Sequence, residues 1–90
     1  METQFLNTFV TVVDRGSMAA AARLLHITPA AVAQQIRTLE RELGAPLIAR
    51  AGRTVSVTEE GARILQRARD LLRGVADLRS VALSLIHISE

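Results

Sequence analysis

Residues 28–44, TPAAVAQQIRTLERELG, decide the fold of this chain. Thr28 predicts an N-cap, and Pro29 suits the first helical position, where its missing N–H has no intrahelical partner to lose. Gly44 predicts a left-handed residue after the helix, and Pro46 prevents the helix from resuming. The pattern therefore predicts one helix with both ends marked.

This predicted helix has two different faces. One face is apolar, with residues that recur at spacings of four, three and four: Val32, Ile36, Leu39 and Leu43. Such spacing places them on one side of a helix, so we expect them to pack in a core. The opposite face carries small, amide and cationic side chains, in the order Ala30, Ala33, Gln34, Arg37 and Arg41. A face of this composition suits a groove.

Two shorter helices are predicted before this one. An apolar helical stripe runs from about residue 3 to Arg15, where Gly16 ends it. Ser17 predicts the N-cap of a second helix, MAAAARLLH, which a tight connection joins to Thr28. Two helices joined so closely form a helix-turn-helix, here over about residues 18–37.

After Gly44 the apolar period changes from helical to extended. Val55 and Val57 alternate with polar residues, which predicts a two-stranded hairpin, or wing, over about residues 47–57. Near its tip lie Arg50 and Arg53, and such a tip can follow a phosphate backbone or enter a minor groove. A solvated turn, with arginines for solubility, is the alternative.

A long helix is predicted after the wing, over residues 59–82. Thr58 predicts its N-cap, and Glu59 and Glu60 suit the positive end of its dipole. Its apolar residues follow a heptad pattern, which we call the heptad seam: Ile64, Ala68, Leu71, Val75, Leu78 and Ala82. A seam of this length predicts pairing with the same helix of a second copy.

Composition limits the classes of function. Ninety residues make one small domain, short of the size that usually encloses an active-site cavity. They contain no acid–base pair, no nucleophile constellation and no glycine-rich phosphate loop, so we expect no enzyme. With no cysteine and two isolated histidines, we expect no metal site and no cofactor.

Charge points to a polyanionic partner. All eleven basic residues are arginine, against nine acidic residues, and the net charge is +2. A solvated arginine surface explains the same composition. The N-terminal sixteen residues lack the basic start of a signal peptide, and no apolar run approaches the length of a membrane span, so we expect a cytoplasmic protein without a membrane partner.

The predicted order of elements resembles the N-terminal DNA-binding region of LysR-type transcriptional regulators of bacteria. The resemblance covers nearly all of residues 3–82. It rests on FVTVVDRGSMAAAARLLHITPAAVAQQIRTLERELGAPLIAR, residues 9–50, followed by GRTVSVTEEG, residues 52–61. It implies a mainly α fold: a winged helix-turn-helix of three helices and a two-stranded β wing in residues 1–58, then a long dimerisation helix in residues 59–82.

The resemblance also implies a homodimer that binds operator DNA and regulates transcription, with a recognition helix in the major groove and a wing on the backbone or minor groove. The residues at the matching positions are Ser17, Thr28, Pro29, Ala30, Ala33, Gln34, Arg37, Arg50 and Arg53. The family often carries other, mostly polar, residues at positions 29, 30 and 33. Base reading by this chain should therefore depend on methyl contacts, Gln34 and Arg37.

Members of the family usually have a C-terminal effector-binding domain, which is absent from this sequence. The resemblance implies that a small-molecule effector acts only through that domain, and that a full-length protein forms higher oligomers. Two alternatives stay open. Molybdate-responsive regulators share the winged N-terminal design, and a helical protein-interaction module would use the heptad seam without binding DNA. The second alternative leaves the arginine-tipped wing unexplained.

Residues 83–90, LSLIHISE, continue the heptad helix poorly. They resemble one reading frame of a transposon-end adapter used to prepare sequencing libraries. We therefore expect the native sequence to stop near Ala82 and the remaining residues to be an artefact. A native apolar helix end is the alternative, and genomic coding sequence that runs on past codon 90 would exclude the adapter.

Overall fold

The computed structural model describes the backbone of residues 1–88 and the side chains of residues 1–85. Within that range, four helices and one two-stranded antiparallel sheet follow one another along the chain. Their bounds are α1 Thr3–Arg15, α2 Met18–Leu25, α3 Pro29–Leu43, β1 Ile48–Ala51, β2 Thr54–Val57 and α4 Glu59–Ile88. The predicted fold class, a winged helix-turn-helix followed by a long helix, is confirmed.

Side-chain caps begin the helices where the sequence predicts them. The Ser17 hydroxyl accepts a hydrogen bond from the Ala20 N–H at 2.9 Å, and Thr28 Oγ1 accepts one from the Ala31 N–H at 3.0 Å. Each bond satisfies a backbone donor that a helix leaves unpaired in its first turn. Local sequence therefore sets where α2 and α3 begin.

The turn of the helix-turn-helix contains a left-handed residue that the sequence does not predict. His26 ends α2 with a φ of 59°, and it is the one non-glycine residue with positive φ among those described. A side chain in this left-handed region costs about 1 kcal/mol. The tight connection between α2 and α3 requires this conformation. The packing of α3 against the core must therefore offset this cost.

The core lies between the first three helices and the beginning of α4. The predicted apolar face of α3 supplies Val32, Ile36 and Leu39, which are all buried. The other buried apolar side chains are Leu6, Phe9, Val10, Val12, Ala21, Ala22, Leu47 and Ala68. Burial of a side chain as large as Phe9 contributes about 2 to 3 kcal/mol, so this cluster holds α3 with its polar face outward.

The wing is a short hairpin that is tied to the rest of the domain through β2. Its register pairs Ile48 with Val57 and Ala51 with Thr54. The Val55 N–H donates to the carbonyl oxygen of Gly16 at 3.2 Å, which joins β2 to the turn before α2. This bond helps to hold the wing beside the helix-turn-helix, although a free two-stranded hairpin is marginally stable.

The first turn of α4 packs tightly against the wing. Thr58 Oγ1 accepts a hydrogen bond from the Gly61 N–H at 2.9 Å and donates to the carbonyl oxygen of Pro46 at 2.5 Å. The α carbon of Gly61 faces the carbonyl oxygen of Leu47, and a β carbon at this position would collide with that oxygen. The start of α4 is thereby fixed relative to the wing.

The structure corrects the heptad seam at its N-terminal end. Ala68 is 1% exposed and belongs to the core of its own chain, and Ile64 is half-buried against that core. Ala68 is therefore not available to a partner helix. Leu71 and Leu78 are 56% and 70% exposed, so the part of the heptad seam that is open to a partner begins later than the spacing predicted.

Helix α4 also continues beyond the predicted boundary at Ala82, as far as Ile88, the last residue whose backbone the structure describes. Leucine and alanine favour helix, and no glycine or proline follows Gly74, so nothing in the local sequence stops it at residue 82. The prediction that residues 83–90 are foreign extends to residues 89 and 90, which lie outside the described part of the chain. Among the described helices, none is apolar over enough length to cross a membrane.

Candidate nucleic-acid interface

The exposed face of α3 carries most of the side chains predicted to contact DNA. Pro29, Ala30, Gln34 and Arg37 are exposed, and Ala33 is half-buried. They face away from the core because Val32, Ile36 and Leu39 occupy the opposite side of the same helix. The structure therefore brings the predicted α3 residues together on one surface.

Side-chain hydrogen bonds organise this surface. Arg37 Nη2 donates to Gln34 Oε1 at 3.0 Å, and Arg41 Nη2 donates to Thr38 Oγ1 at 3.4 Å. The Thr38 hydroxyl donates in turn to the backbone carbonyl oxygen of Gln34 at 3.0 Å. Thr38 was not among the predicted site residues, although its position four residues after Gln34 places it on the same face.

The wing and the starts of α2 and α3 border one cleft. Ser17, Pro29, Arg50, Arg53 and Thr54 are among the residues that line it. Met18 and Ala19 of α2 and Pro29 of α3 also line this cleft, so the positive ends of both helix dipoles add to the charge of the arginines. This combination favours an anion such as a phosphate group.

A second cleft joins the wing to the middle of α3. Its lining includes Met18, Ala33, Arg37 and Arg50. Because Arg50 lines both clefts, the wing and the exposed face of α3 form one continuous surface. Met18 was not predicted as part of this surface, and only its position directly after the Ser17 cap could have indicated it.

Two contacts fix α3 relative to its neighbours. Thr8 is 1% exposed, and its hydroxyl donates to Gln35 Oε1 at 2.6 Å, which joins α1 to α3. Near the other end of α3, Glu40 Oε2 accepts a hydrogen bond from the Leu47 N–H at 2.8 Å, which joins α3 to the residue before the wing. The exposed face of α3 is thereby held in one orientation from both sides.

The family of the chain follows from comparison with known proteins. Residues 3–62 match the family described as bacterial regulatory helix-turn-helix proteins of the lysR family. This chain belongs to the LysR family. Its membership confirms the predicted resemblance, and it favours a DNA-binding domain over both an enzyme and a helical module that binds no DNA.

Relatives within the LysR family show how much of such a protein this chain represents. The chain is 44% identical over 78 residues to the HTH-type transcriptional regulator AbaB of Streptomyces antibioticus. The match covers 87% of this chain and 26% of AbaB. This LysR-family chain therefore spans about a quarter of the length of that relative.

Solved structures of LysR-family domains share the fold. The DNA-binding domain of BenM in complex with benA site 1 DNA has a TM-score of 0.89 and 38% identity, over 94% of this chain and 96% of that one. The DNA-binding domain of CbnR in its DNA complex has a TM-score of 0.82 and 36% identity, over 93% and 99%. The chain thus has the winged-helix fold of LysR-family DNA-binding domains.

Proposed function

We propose that this chain is the DNA-binding domain of a LysR-type transcriptional regulator and binds double-stranded operator DNA as a homodimer. The observation that carries the proposal is the continuous surface formed by the exposed face of α3 and the arginine-bearing wing, joined at Arg50. BenM and CbnR, whose domains share this fold, were solved with DNA bound.

In this proposal, α3 enters the major groove. A helix with its side chains is about 10 to 12 Å across, and the groove is about 12 Å wide. Pro29, Ala30 and Ala33 have small side chains, so the N-terminal half of α3 can approach the bases closely. Gln34 and Arg37 supply the polar groups that read base edges, and the alanine methyl groups suit contact with thymine methyl groups.

Affinity, in contrast, comes mainly from phosphate contacts. Arg50 and Arg53 are exposed on the wing and lie beside the first turns of α2 and α3. Ser17 and Thr28 use their oxygens as helix caps, which leaves the Thr28 hydroxyl proton free to donate to a phosphate oxygen. These contacts position the domain on the duplex without reading its sequence.

The partner of α4 is a second copy of the same helix. Leu71, Val75 and Leu78 line an apolar groove along α4, and Ala82 continues the same side of the helix one turn later. Large apolar side chains exposed in a row mark an interaction surface. Pairing through this part of the heptad seam places two recognition helices in one assembly, which matches the symmetry of an operator with two half-sites.

The remaining properties concern a longer protein. Residues 1–58 form the winged helix-turn-helix, and the helix that begins at Glu59 links it to the rest of a regulator. Because the chain spans 26% of AbaB, we place effector binding and higher oligomers in sequence outside this domain. A regulator of operators acts where the chromosome is, so we place it in the cytoplasm.

Selection from a pool of random duplexes, with the purified chain as the binding protein, tests the proposed function. Enrichment of a sequence with two related half-sites is the expected result. Binding that weakens steeply with salt should accompany it, because phosphate contacts release counterions. Failure to bind any duplex at low salt would contradict the proposal and favour a protein-interaction module.

A further inference from the structure

The exposed face of α3 differs from an ordinary polar surface in its hydrogen-bonding capacity. Arg37 Nη2 lies 3.0 Å from Gln34 Oε1. A guanidinium group has donors and no acceptor, so the atom of Gln34 that faces it must be the carbonyl oxygen. The amide nitrogen of Gln34, with its two N–H donors, is therefore the end that stays free.

The next turn of α3 repeats this arrangement. The Thr38 hydroxyl gives its proton to the Gln34 backbone carbonyl at 3.0 Å, and its oxygen accepts from Arg41 Nη2 at 3.4 Å. Each arginine therefore engages an acceptor one turn before it. The donors that remain on Arg37 and Arg41 point outward, since both side chains are exposed.

No other side chain on this face offers an acceptor that is wholly free. Pro29, Ala30 and Ala33 carry no hydrogen-bonding groups, and Thr28 Oγ1 already accepts the Ala31 N–H. The carboxylate of Glu40 is half-buried and accepts the Leu47 N–H at 2.8 Å on the side of the wing. From residue 28 to residue 38, the side-chain acceptors of this face each already accept one hydrogen bond, whereas donors and methyl groups are free.

Guanine and adenine present different hydrogen-bonding groups to such a face in the major groove. Guanine presents two acceptors, N7 and O6, whereas adenine presents one acceptor, N7, and one donor, the N6 amino group. A glutamine with both ends free binds adenine by accepting from N6 and donating to N7. Arg37 occupies one of the two lone pairs of the Gln34 oxygen and restrains the amide, so Gln34 is a poorer partner for adenine N6 than a free glutamine would be.

We propose that Gln34 and Arg37 form one reading unit whose free groups are mainly donors, and that this unit prefers guanine to adenine at the base pair it contacts. The inference rests on the proposed function, because it requires α3 to enter the major groove. Within the groove, water competes less for the bond between Gln34 and Arg37, so the restriction on the Gln34 oxygen becomes stronger.

Base analogues test the reading unit on the unchanged chain. The best duplex from the random pool is resynthesised with single guanines replaced in each half-site. Hypoxanthine keeps both N7 and O6 in the major groove and should bind like guanine. Adenine should weaken binding about five- to a hundredfold at the position that the unit reads, and 7-deazaguanine, which lacks the N7 acceptor, should weaken it there as well.

Arg37→Ala tests the cause of the selectivity. The substitution frees Gln34 Oε1, so the preference at this position should shift from guanine toward adenine. Arg73→Ala is the matched control, because it removes the same charge from α4, where Arg73 is paired with Asp70. That control should keep the preference for guanine.

The outcomes separate the inference from the proposed function. Sequence-specific binding with adenine preferred by the unchanged chain, or a guanine preference that Arg37→Ala leaves intact, overturns the reading unit and leaves the proposed function standing. Absence of sequence-specific binding by the unchanged chain overturns both. If Arg37→Ala binds too weakly to profile, the analogue series on the unchanged chain still decides.

Discussion

Asp14 and Arg69 form a bidentate ion pair between residues that lie 55 positions apart in sequence. Arg69 Nη2 donates to Oδ1 at 2.6 Å and Nη1 donates to Oδ2 at 3.2 Å, which joins the end of α1 to α4. The pair lies next to Ala68, the buried contact of α4 with the core. It therefore opposes rotation of α4 relative to the winged helix-turn-helix of residues 1–58.

This pair predicts a stability that depends on pH. The hydrogen bond from Arg69 lowers the pKa of Asp14, and burial opposes the shift. Because the folded-state pKa is lowered, the stabilisation is present above the unfolded pKa and is lost as the pH falls through the folded pKa. Asp14→Asn should therefore lower the free energy of unfolding at pH 7, by less than about 1 kcal/mol because both groups are partly exposed.

Urea unfolding of Asp14→Asn and of the unchanged chain measures this effect. The difference between them should shrink between about pH 5 and about pH 2, as Asp14 is protonated in the unchanged chain. Asp70→Asn is the control, since the pair of Asp70 with Arg73 is local to α4 and joins no other element. A difference that is the same at every pH would rule out this role for the pair.

Gly61 and Gly74 make a matched pair of glycines within α4. A β carbon at Gly61 would collide with the carbonyl oxygen of Leu47 and lie 2.8 Å from Val57 Cγ2, whereas at Gly74 it would meet nothing within 4 Å. Gly61→Ala should destabilise the fold by about 3 kcal/mol, as overpacking against backbone does. Gly74→Ala should stabilise it by up to about 1 kcal/mol through helix propensity.

Thermal unfolding at low protein concentration compares the two glycine variants. A low concentration keeps self-association through α4 from adding to the measured stability. Equal effects of the two substitutions would show that α4 does not pack against Leu47 as closely as the structure has it.

Arg53 at the wing should contribute affinity without sequence selectivity. If Arg53 contacts one phosphate as proposed, Arg53→Ala should weaken binding to every duplex and lower the slope of log Kd against log salt by about 0.9. Gln34→Ala should instead change the ranking of duplexes while leaving that slope unchanged. Fluorescence anisotropy titrations at several salt concentrations distinguish the two effects, and identical behaviour of the variants would refute the assignment of these roles.

Leu78 should matter for assembly and not for folding. Its side chain is 70% exposed in one chain, so Leu78→Glu should leave the fold intact and shift the dimer toward monomer. Leu24→Glu is the control, because Leu24 is 50% exposed on α2, away from the heptad seam. Sedimentation equilibrium measures both variants, and a dimer that survives Leu78→Glu would place the interface elsewhere.

Much of the candidate site could be predicted because its signals are local. The cap at Thr28, the proline at position 29 and the left-handed Gly44 are effects within a few residues of chain, and so is the apolar period that turns Gln34 and Arg37 outward. Thr38 escaped prediction as a site residue because its role depends on which acceptors the neighbouring arginines engage. Spacing shows that these side chains share a face, but not which atoms are left free.

By itself, then, the sequence determined the order of elements, the ends of α1, α2 and α3, the wing and the face that α3 offers. These depend on backbone propensities and on a periodicity that neighbouring residues already contain. Only the tertiary structure decided that Ala68 belongs to the core while Leu78 stays exposed, and that Gly61 must lack a side chain. The physical reason is that heptad spacing shows which positions are apolar but not which of them are buried. Burial depends on packing against elements that are far away in sequence.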